Sequence, residues 1–281
     1  MTRSSTIPIV SVIIATYNEP EEVLRQSIQS ILDQSLKNIE VLIYDDSTSE
    51  ESRTMLDSFL TDPRIRIFRS DTRMGFVPSL NRGLKQAIGT YIARMDGDDI
   101  SLPNRFEIQA RFLDNHPHIS VVGGSMYIID ENGTIISKRK YPTSNFLLKI
   151  LSIYRTPLAH PTVMIRRACI EQGFFYDESY AKSEDLEFWL RLIKNGVRII
   201  NIPEYLLKYR ICGNLSNKRT KEHWNYNLKA RKANFSLKDP FWGIFGIMVS
   251  FIYTKLPIYI IRNTYKFENK MRRYRKHKPL F

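Results

Sequence analysis

The chain opens on Ile9–Ala15, a run of apolar, mostly β-branched residues that predicts a strand of a parallel sheet covered on both faces. After Pro20 the period changes: Val23, Ser27, Ser30 or Ile31, and Gln34 recur at helical spacing, and Leu24, Ile28 and Leu32 complete an apolar face. Ile39–Tyr44 is a second strand, and Ser47 or Thr48 then caps a helix running through Leu60. The cycle repeats with Ile65–Phe68, a helix over Val77–Ile88, and Tyr91–Met95. Strands alternating with helices predict a mostly parallel open sheet flanked by helices, a Rossmann-like α/β class.

Beyond Asp99 the pattern predicts a helix over Pro103–Asn115, a strand at Ser120–Gly123 and, from the Asn132-Gly133 turn signal inside Ile128–Ile136, a hairpin. Thr162–Ile165 reads as a strand and Glu184–Asn195 as an amphipathic helix ended by Gly196. Val197–Ile202 and Tyr205–Tyr209 read as two short strands ahead of a basic helical stretch from about Ser216 to Ser236. Phe241–Ile261 is nearly uncharged, broken by Lys255 and Pro257, and Lys266–Lys278 is rich in Lys and Arg. A spanning helix needs about 20 apolar residues without such breaks. A segment lying in the interface, held by the basic tail on anionic headgroups, fits Lys255 and Pro257 better than a span or a helix packed on the rest of the chain. The expected organisation is a catalytic domain over residues 1–212 and a basic, membrane-associating helical region over residues 213–281.

Charge sharpens that division. Residues 1–203 hold 24 Lys and Arg against 25 Asp and Glu, whereas residues 204–281 hold 18 against 4, so the net charge of +13 belongs to the last part. Such asymmetry implies a surface that meets something anionic. The two cysteines, Cys169 and Cys212, are too few for a disulfide framework and read as free thiols in a reducing compartment. Ile7–Ala15 is too short for a signal-peptide core and runs into Thr16-Tyr17-Asn18-Glu19-Pro20 rather than a cleavage site.

In open parallel sheets ligands sit at the carboxyl ends of the strands. Four polar clusters fall there: Thr16-Tyr17-Asn18, Asp45-Asp46, Asp96-Gly97-Asp98-Asp99 and, later, Glu184-Asp185. Asp96 and Asp98 are two apart, so in an extended segment both carboxylates face one side, and Gly97 would let a ligand approach the backbone. That suits Mg²⁺ or Mn²⁺, which takes one or two carboxylates and fills its shell with phosphate and water. Each cluster also has an ordinary reading: Asp98, Asp99 and Ser101 are competent helix caps, Asp45-Asp46 complements a helix N-terminus, Tyr17 packs in a core and Glu184-Asp185 opens a helix. Their joint placement at strand ends is what the ordinary readings explain poorly.

The segments VSVIIATYN (Val10 to Asn18), IQSILDQ (Ile28 to Gln34), Asp45-Asp46-Ser47, Asn81-Arg82-Gly83, MDGDD (Met95 to Asp99) and Ser183-Glu184-Asp185 resemble, in this order, the family 2 glycosyltransferases. The resemblance spans roughly residues 9–212. It implies a GT-A fold and inverting transfer from a nucleoside-diphosphate sugar, with UDP favoured by the Asp46 match. By matching positions, Thr16, Tyr17 and Asn18 lie at the donor, Tyr17 against the nucleobase. Asp46 hydrogen-bonds the base, Asp96 lies near ribose and sugar, and Asn81 and Arg82 contact the donor. Asp98 binds the divalent cation, with Asp99 beside it, and Asp185 is the catalytic base, its environment shaped by Glu184. One departure concerns the metal: Cys212 stands where many relatives carry a His after a Tyr-Arg pair. A thiol suits a hard cation poorly, so water or Asn214 completes the site, or His160 approaches from the preceding loop, although a loop His is more often structural.

A nucleotidyltransferase would share the sheet and the metal, but Thr16-Tyr17-Asn18-Glu19-Pro20 lacks the Gly-rich phosphate loop such enzymes begin with. A nucleic-acid adaptor would use Lys218–Lys238 and Arg262–Lys278, but the uncharged Phe241–Ile261 block argues for a membrane instead. The acceptor expected from that location is a polyprenyl-diphosphate-linked saccharide on the cytoplasmic face of a bacterial inner membrane, in capsule, O-antigen or exopolysaccharide assembly.

Overall fold

The computed structural model describes residues 7–211, 220–237 and 240–264. The expected alternation is present: β1 (Val10–Thr16), α1 (Glu21–Leu32), β2 (Ile39–Asp45), α2 (Glu50–Asp57), β3 (Ile65–Arg69), α3 (Phe76–Gln86) and β4 (Tyr91–Asp96). It continues with β5 (Ile100–Ser101), α4 (Arg105–Asn115), β6 (Val121–Ile129), β7 (Ile135–Arg139), α5 (Asn145–Ser152), β8 (Met164–Arg166), α6 (Arg167–Glu171), α7 (Glu184–Lys194), β9 (Ile199–Arg210), α8 (Lys221–Ala233) and α9 (Pro240–Lys255).

All the strands belong to one sheet, ordered β3-β2-β1-β4-β8-β6-β9-β5, with β7 paired to β6 as the Asn132-Gly133 hairpin. The first four are parallel, and beyond them β8 runs antiparallel to both β4 and β6. Successive residues of β1 serve opposite faces. Val12 and Ile14 join the core beneath α1, α2 and α4, and Ile13 joins the second core with Val77, Leu80, Phe188 and Trp189 of α3 and α7. Register brings the strand ends level: Thr16 lies opposite Asp45, and Ala15 opposite Asp96. The residues at the carboxyl ends of β1, β2 and β4 therefore share one rim of the sheet.

Several local expectations are corrected. The cap of α2 is Ser49, whose hydroxyl accepts the Ser52 amide, rather than Ser47 or Thr48, and the helix gives way to a 3-10 turn at Ser58–Thr61 before Leu60 is passed. The two strands expected over Val197–Tyr209 are one, β9, in which Pro203 and Glu204 are absorbed by register shifts against Gly124 and Ser125 of β6. His160-Pro161-Thr162 forms a 3-10 turn rather than the start of a strand. Asn145–Ser152 is a helix capped by Ser144 that the apolar pattern did not single out. Cys169 is buried and unbridged, and Cys212 and Asn214 lie outside the described residues. Among the described residues no helix is long and apolar enough to cross a membrane. The 16 residues of α9 instead pack on α8 and α5 and leave Phe241, Ile244, Phe245, Met248, Phe251 and Ile252 exposed.

Candidate active site

At the end of β4 the chain turns sharply, the Asp99 amide reaching back to the Asp96 carbonyl, and carboxylate oxygens of Asp96, Asp98 and Asp99 come within 4.8 Å of one another. The convergence arises from this turn rather than from extended alternation, which is why Asp99 joins the other two. Gly97 is buried, and a Cβ there would meet Glu19 and Leu24 at 3.3 Å, so its smallness lets the start of α1 close in. Asp96 is held by the buried Arg94 guanidinium, with Nη1 2.9 Å from its Oδ2. Asp99 is fully buried; its Oδ1 accepts the Arg210 amide at 2.9 Å, while its Oδ2 has no hydrogen-bond partner. Burial and the charges of Asp96 and Asp98 push the Asp99 carboxyl well above the usual carboxylate range. Asp98 keeps partial exposure, and its carbonyl accepts Arg210 Nε at 2.9 Å. Nearby Glu19 is raised to about 7 by burial, with Asp98 and Asp96 adding to the shift. Three carboxylates within reach of one another, one with an orphaned buried oxygen, fit a divalent cation by the chemistry of their donors.

Along the rim, the candidates divide by what their side chains do. Thr16 is buried and gives its hydroxyl to Asp45, so its side chain is turned into the sheet and away from a donor. Asn18 sits at φ 56°, a left-handed conformation Asn tolerates, and its carboxamide is taken by Thr48 and Ser49, clamping the β1–α1 loop to the start of α2. Asn81 is likewise occupied: it donates to the Tyr176 carbonyl and Glu178 and accepts the Tyr176 amide, fastening α3 to the loop before α7. These three shape the site rather than face it. Tyr17 is 41% exposed, with the Arg73 guanidinium 3.6 Å from its ring centre. The Asp46 carboxylate accepts the amides of Met74 (3.1 Å) and Gly75 (2.7 Å), holding the loop that carries Arg73, and the exposed Arg82 rests against the Met74 sulfur.

Opposite this rim stands the first turn of α7. Asp185 accepts the Leu186 amide at 2.7 Å, and Ser183 before it takes a left-handed φ of 63° with its hydroxyl 3.2 Å from His223 Nδ1 of α8. Glu184 is raised to about 7, by burial and then by Asp185. His160 lies beside Glu184, 4.0 Å away, and not among the acidic trio. Its Nε2 meets the Tyr176 hydroxyl at 2.8 Å, and burial keeps the ring neutral, well below the ordinary histidine value, so its place is in the wall behind Glu184. Arg94 joins the two sides: it pairs with Asp96, lies 5.1 Å under the Phe76 ring, and its charge is felt by Glu184, His160 and Tyr176. Sequence reasoning assigned no role to Glu19, Phe76, Arg94 or Arg210; the visible signals were an arginine inside the apolar strand Tyr91–Met95 and the Tyr209-Arg210 pair.

The family profile described as Glycosyl transferase family 2 matches residues 11–174, more than half of the chain. An uncharacterized glycosyltransferase of Methanocaldococcus jannaschii is 33% identical over 267 residues, 91% of this chain and 92% of the relative. The UDP-Glc:alpha-D-GlcNAc-diphosphoundecaprenol beta-1,3-glucosyltransferase WfgD of Escherichia coli is 32% identical over 219 residues, 76% of this chain and 82% of that protein. Among solved structures, the mannosyltransferase PcManGT of Pyrobaculum calidifontis, in complex with GDP-Man and Mn²⁺, superposes with a TM-score of 0.66 at 17% identity, covering 92% of this chain and 73% of that one. That likeness shows the shared GT-A fold.

Proposed function

Because the chain belongs to glycosyl transferase family 2 and is a glycosyltransferase, we propose that it moves a sugar, with inversion, from a UDP-sugar to a hydroxyl of a polyprenyl-diphosphate-linked saccharide in surface polysaccharide synthesis. The observation that carries this reading is the carboxylate trio at the end of β4, with its orphaned Asp99 oxygen, facing the acidic first turn of α7. The acceptor class is supported by WfgD, whose name specifies a diphosphoundecaprenol-linked sugar, and cation use by the Mn²⁺ complex of PcManGT.

Asp98 and Asp96, the two partly exposed members of the trio, would hold Mn²⁺ or Mg²⁺; the bound cation would supply Lewis-acid neutralisation of the leaving diphosphate. Tyr17 offers its exposed face to the nucleobase and Asp46 an acceptor for the base's N–H. Asp185 takes the proton of the attacking hydroxyl, from the face opposite the leaving group that inversion requires. Asp185 sits in the first turn of α7, at the positive end of the helix dipole. Glu184, raised to about 7, keeps its proton below that pH and spares Asp185 a second adjacent charge. The catalytic domain occupies residues 1–212 and the remainder binds the cytoplasmic face of the inner membrane peripherally, through the exposed apolar residues of α9 and the basic sequence Lys266–Lys278, which lies outside the described residues.

Thermal stabilisation by a panel of nucleotide sugars with Mn²⁺ identifies the donor, and transfer is then followed as released UDP. Replacing Asp185 by Asn is expected to reduce turnover at least about a hundredfold while donor affinity stays within a few fold. Replacing Asp98 by Asn should abolish the Mn²⁺-dependent part of UDP binding. Near-normal transfer by the Asp185 variant would remove that residue from the role of base.

A further inference from the structure

Asp185 is part of the wall of a second recess. This pocket, of about 240 Å³, is formed between the end of β7, the segment after α5, and α8; Arg139, Lys140, Tyr154, Arg155 and His223 line it with Asp185. Three cationic side chains and one carboxylate thus share the lining. They come from a part of the chain whose Lys and Arg are balanced by acids, so the cluster is not a by-product of the basic C-terminal sequence. The volume is small beside the several hundred Å³ of typical ligand pockets, room for one end of a molecule that continues outward.

The direction of that continuation is given by α5. Leu151 of this helix faces the pocket, while Phe146 and Leu147, one to two turns earlier, are 63% and 48% exposed, and Phe146 meets Trp242 of α9 edge-on. Eight helical residues cover about 12 Å, so the cationic pocket and the exposed apolar face formed by α5 and α9 lie within one short helix of each other.

Taking Asp185 as the acceptor's base, on which this rests, we infer that Arg139, Lys140 and Arg155 recognise the diphosphate of the lipid-linked acceptor, its lipid leaving across α5 toward the α9 face. Arginine forks fit phosphate oxygens in pairs and a lysine adds a point charge. The sugar next to the diphosphate then lies beside Asp185. These residues would select acceptors by their charge and anchor, apart from the sugar itself.

The test measures binding of geranyl diphosphate to the full chain in EDTA, which excludes cation-bridged binding at the acidic trio, with pyrophosphate and geraniol as controls. The variant R139Q/K140Q/R155Q should lose at least about tenfold in affinity for geranyl diphosphate, while UDP with Mn²⁺ binds as in the parent. The variant R139K/R155K should recover most of the loss, which separates charge from folding. Pyrophosphate should bind the parent more weakly than geranyl diphosphate, and the triple substitution should leave geraniol unaffected. Unchanged geranyl diphosphate affinity in the triple variant overturns the assignment, as does pyrophosphate binding as tightly as geranyl diphosphate, which would mark a site for free phosphate. If the parent shows the charge-dependent binding but takes up no UDP with Mn²⁺, the pocket stands and the proposed donor chemistry falls.

Discussion

Glu184 shows how much a single side chain can carry that its sequence neighbours do not reveal. Its carboxyl ionises near the ordinary 4.5 in an unfolded chain and at about 7 in the fold. The folded state therefore holds the proton longer, and stability falls as pH rises from 4.5 to about 7, above which the whole cost is present. At 1.36 kcal/mol per pH unit that cost is on the order of 3 kcal/mol. Glu184→Gln removes it: in urea titrations with EDTA, the variant's advantage over the parent should grow by about 2 kcal/mol between about pH 5.5 and pH 8. An advantage independent of pH would refute the shift. The Ser183-Glu184-Asp185 motif was legible because it is local. Glu19 was not, because a glutamate after Tyr17-Asn18 acquires meaning from Asp98 and Asp96, dozens of residues away; an arginine in a strand hints at its pair with Asp96 two residues on, but not at its reach to Glu184 and His160.

At the level of elements, α3 approaches β1 closely because Gly83 has no side chain: a Cβ there would stand 2.6 Å from Ile13 Cγ2. Gly83→Ala should destabilise by about 1–3 kcal/mol through overpacking of a filled core, read as a lowered urea midpoint. Because α3 carries Phe76 and Asn81, the same variant should weaken UDP binding as well. An unchanged midpoint would mean the helix can shift freely on the sheet. Removing the α2 cap with Ser49→Ala should cost about 1 kcal/mol, read as a lowered urea midpoint. Strands β1, β2 and β4 were legible because parallel strands buried on both faces are written as continuous apolar runs. The division of β9 into two was an error of the same origin: Pro203 and Glu204 are exposed and break the apolar run, yet a bulged strand tolerates them. Helix α5 escaped notice because only Leu148 among its residues is buried, so it lacks the two-sided pattern that announces a helix.

For the molecule as a whole, the exposed apolar residues of α5 and α9 form a surface that soluble proteins rarely leave uncovered. Substituting Phe245 and Ile252, both exposed, by Glu should lower cosedimentation with anionic liposomes at least about tenfold without moving the melting temperature. Retained liposome binding would assign membrane contact to the basic residues alone. The nearly uncharged Phe241–Ile261 run was the sequence's sign of such apolar residues, but α5's share in the surface depends on tertiary packing that no local pattern encodes. The same long-range wiring sets a timetable for synthesis. Arg210, at the end of β9, holds Asp98 and Asp99 through bonds that close chain separations of 112 and 111 residues. A ribosome that has just added Asp99 must still add more than a hundred residues before Arg210 exists, and the end of β9 must then clear the exit channel before the clamp can close. Until then the nascent chain has its carboxylates but not the clamp that orders them, so the acidic turn is completed only as the C-terminal region is being made.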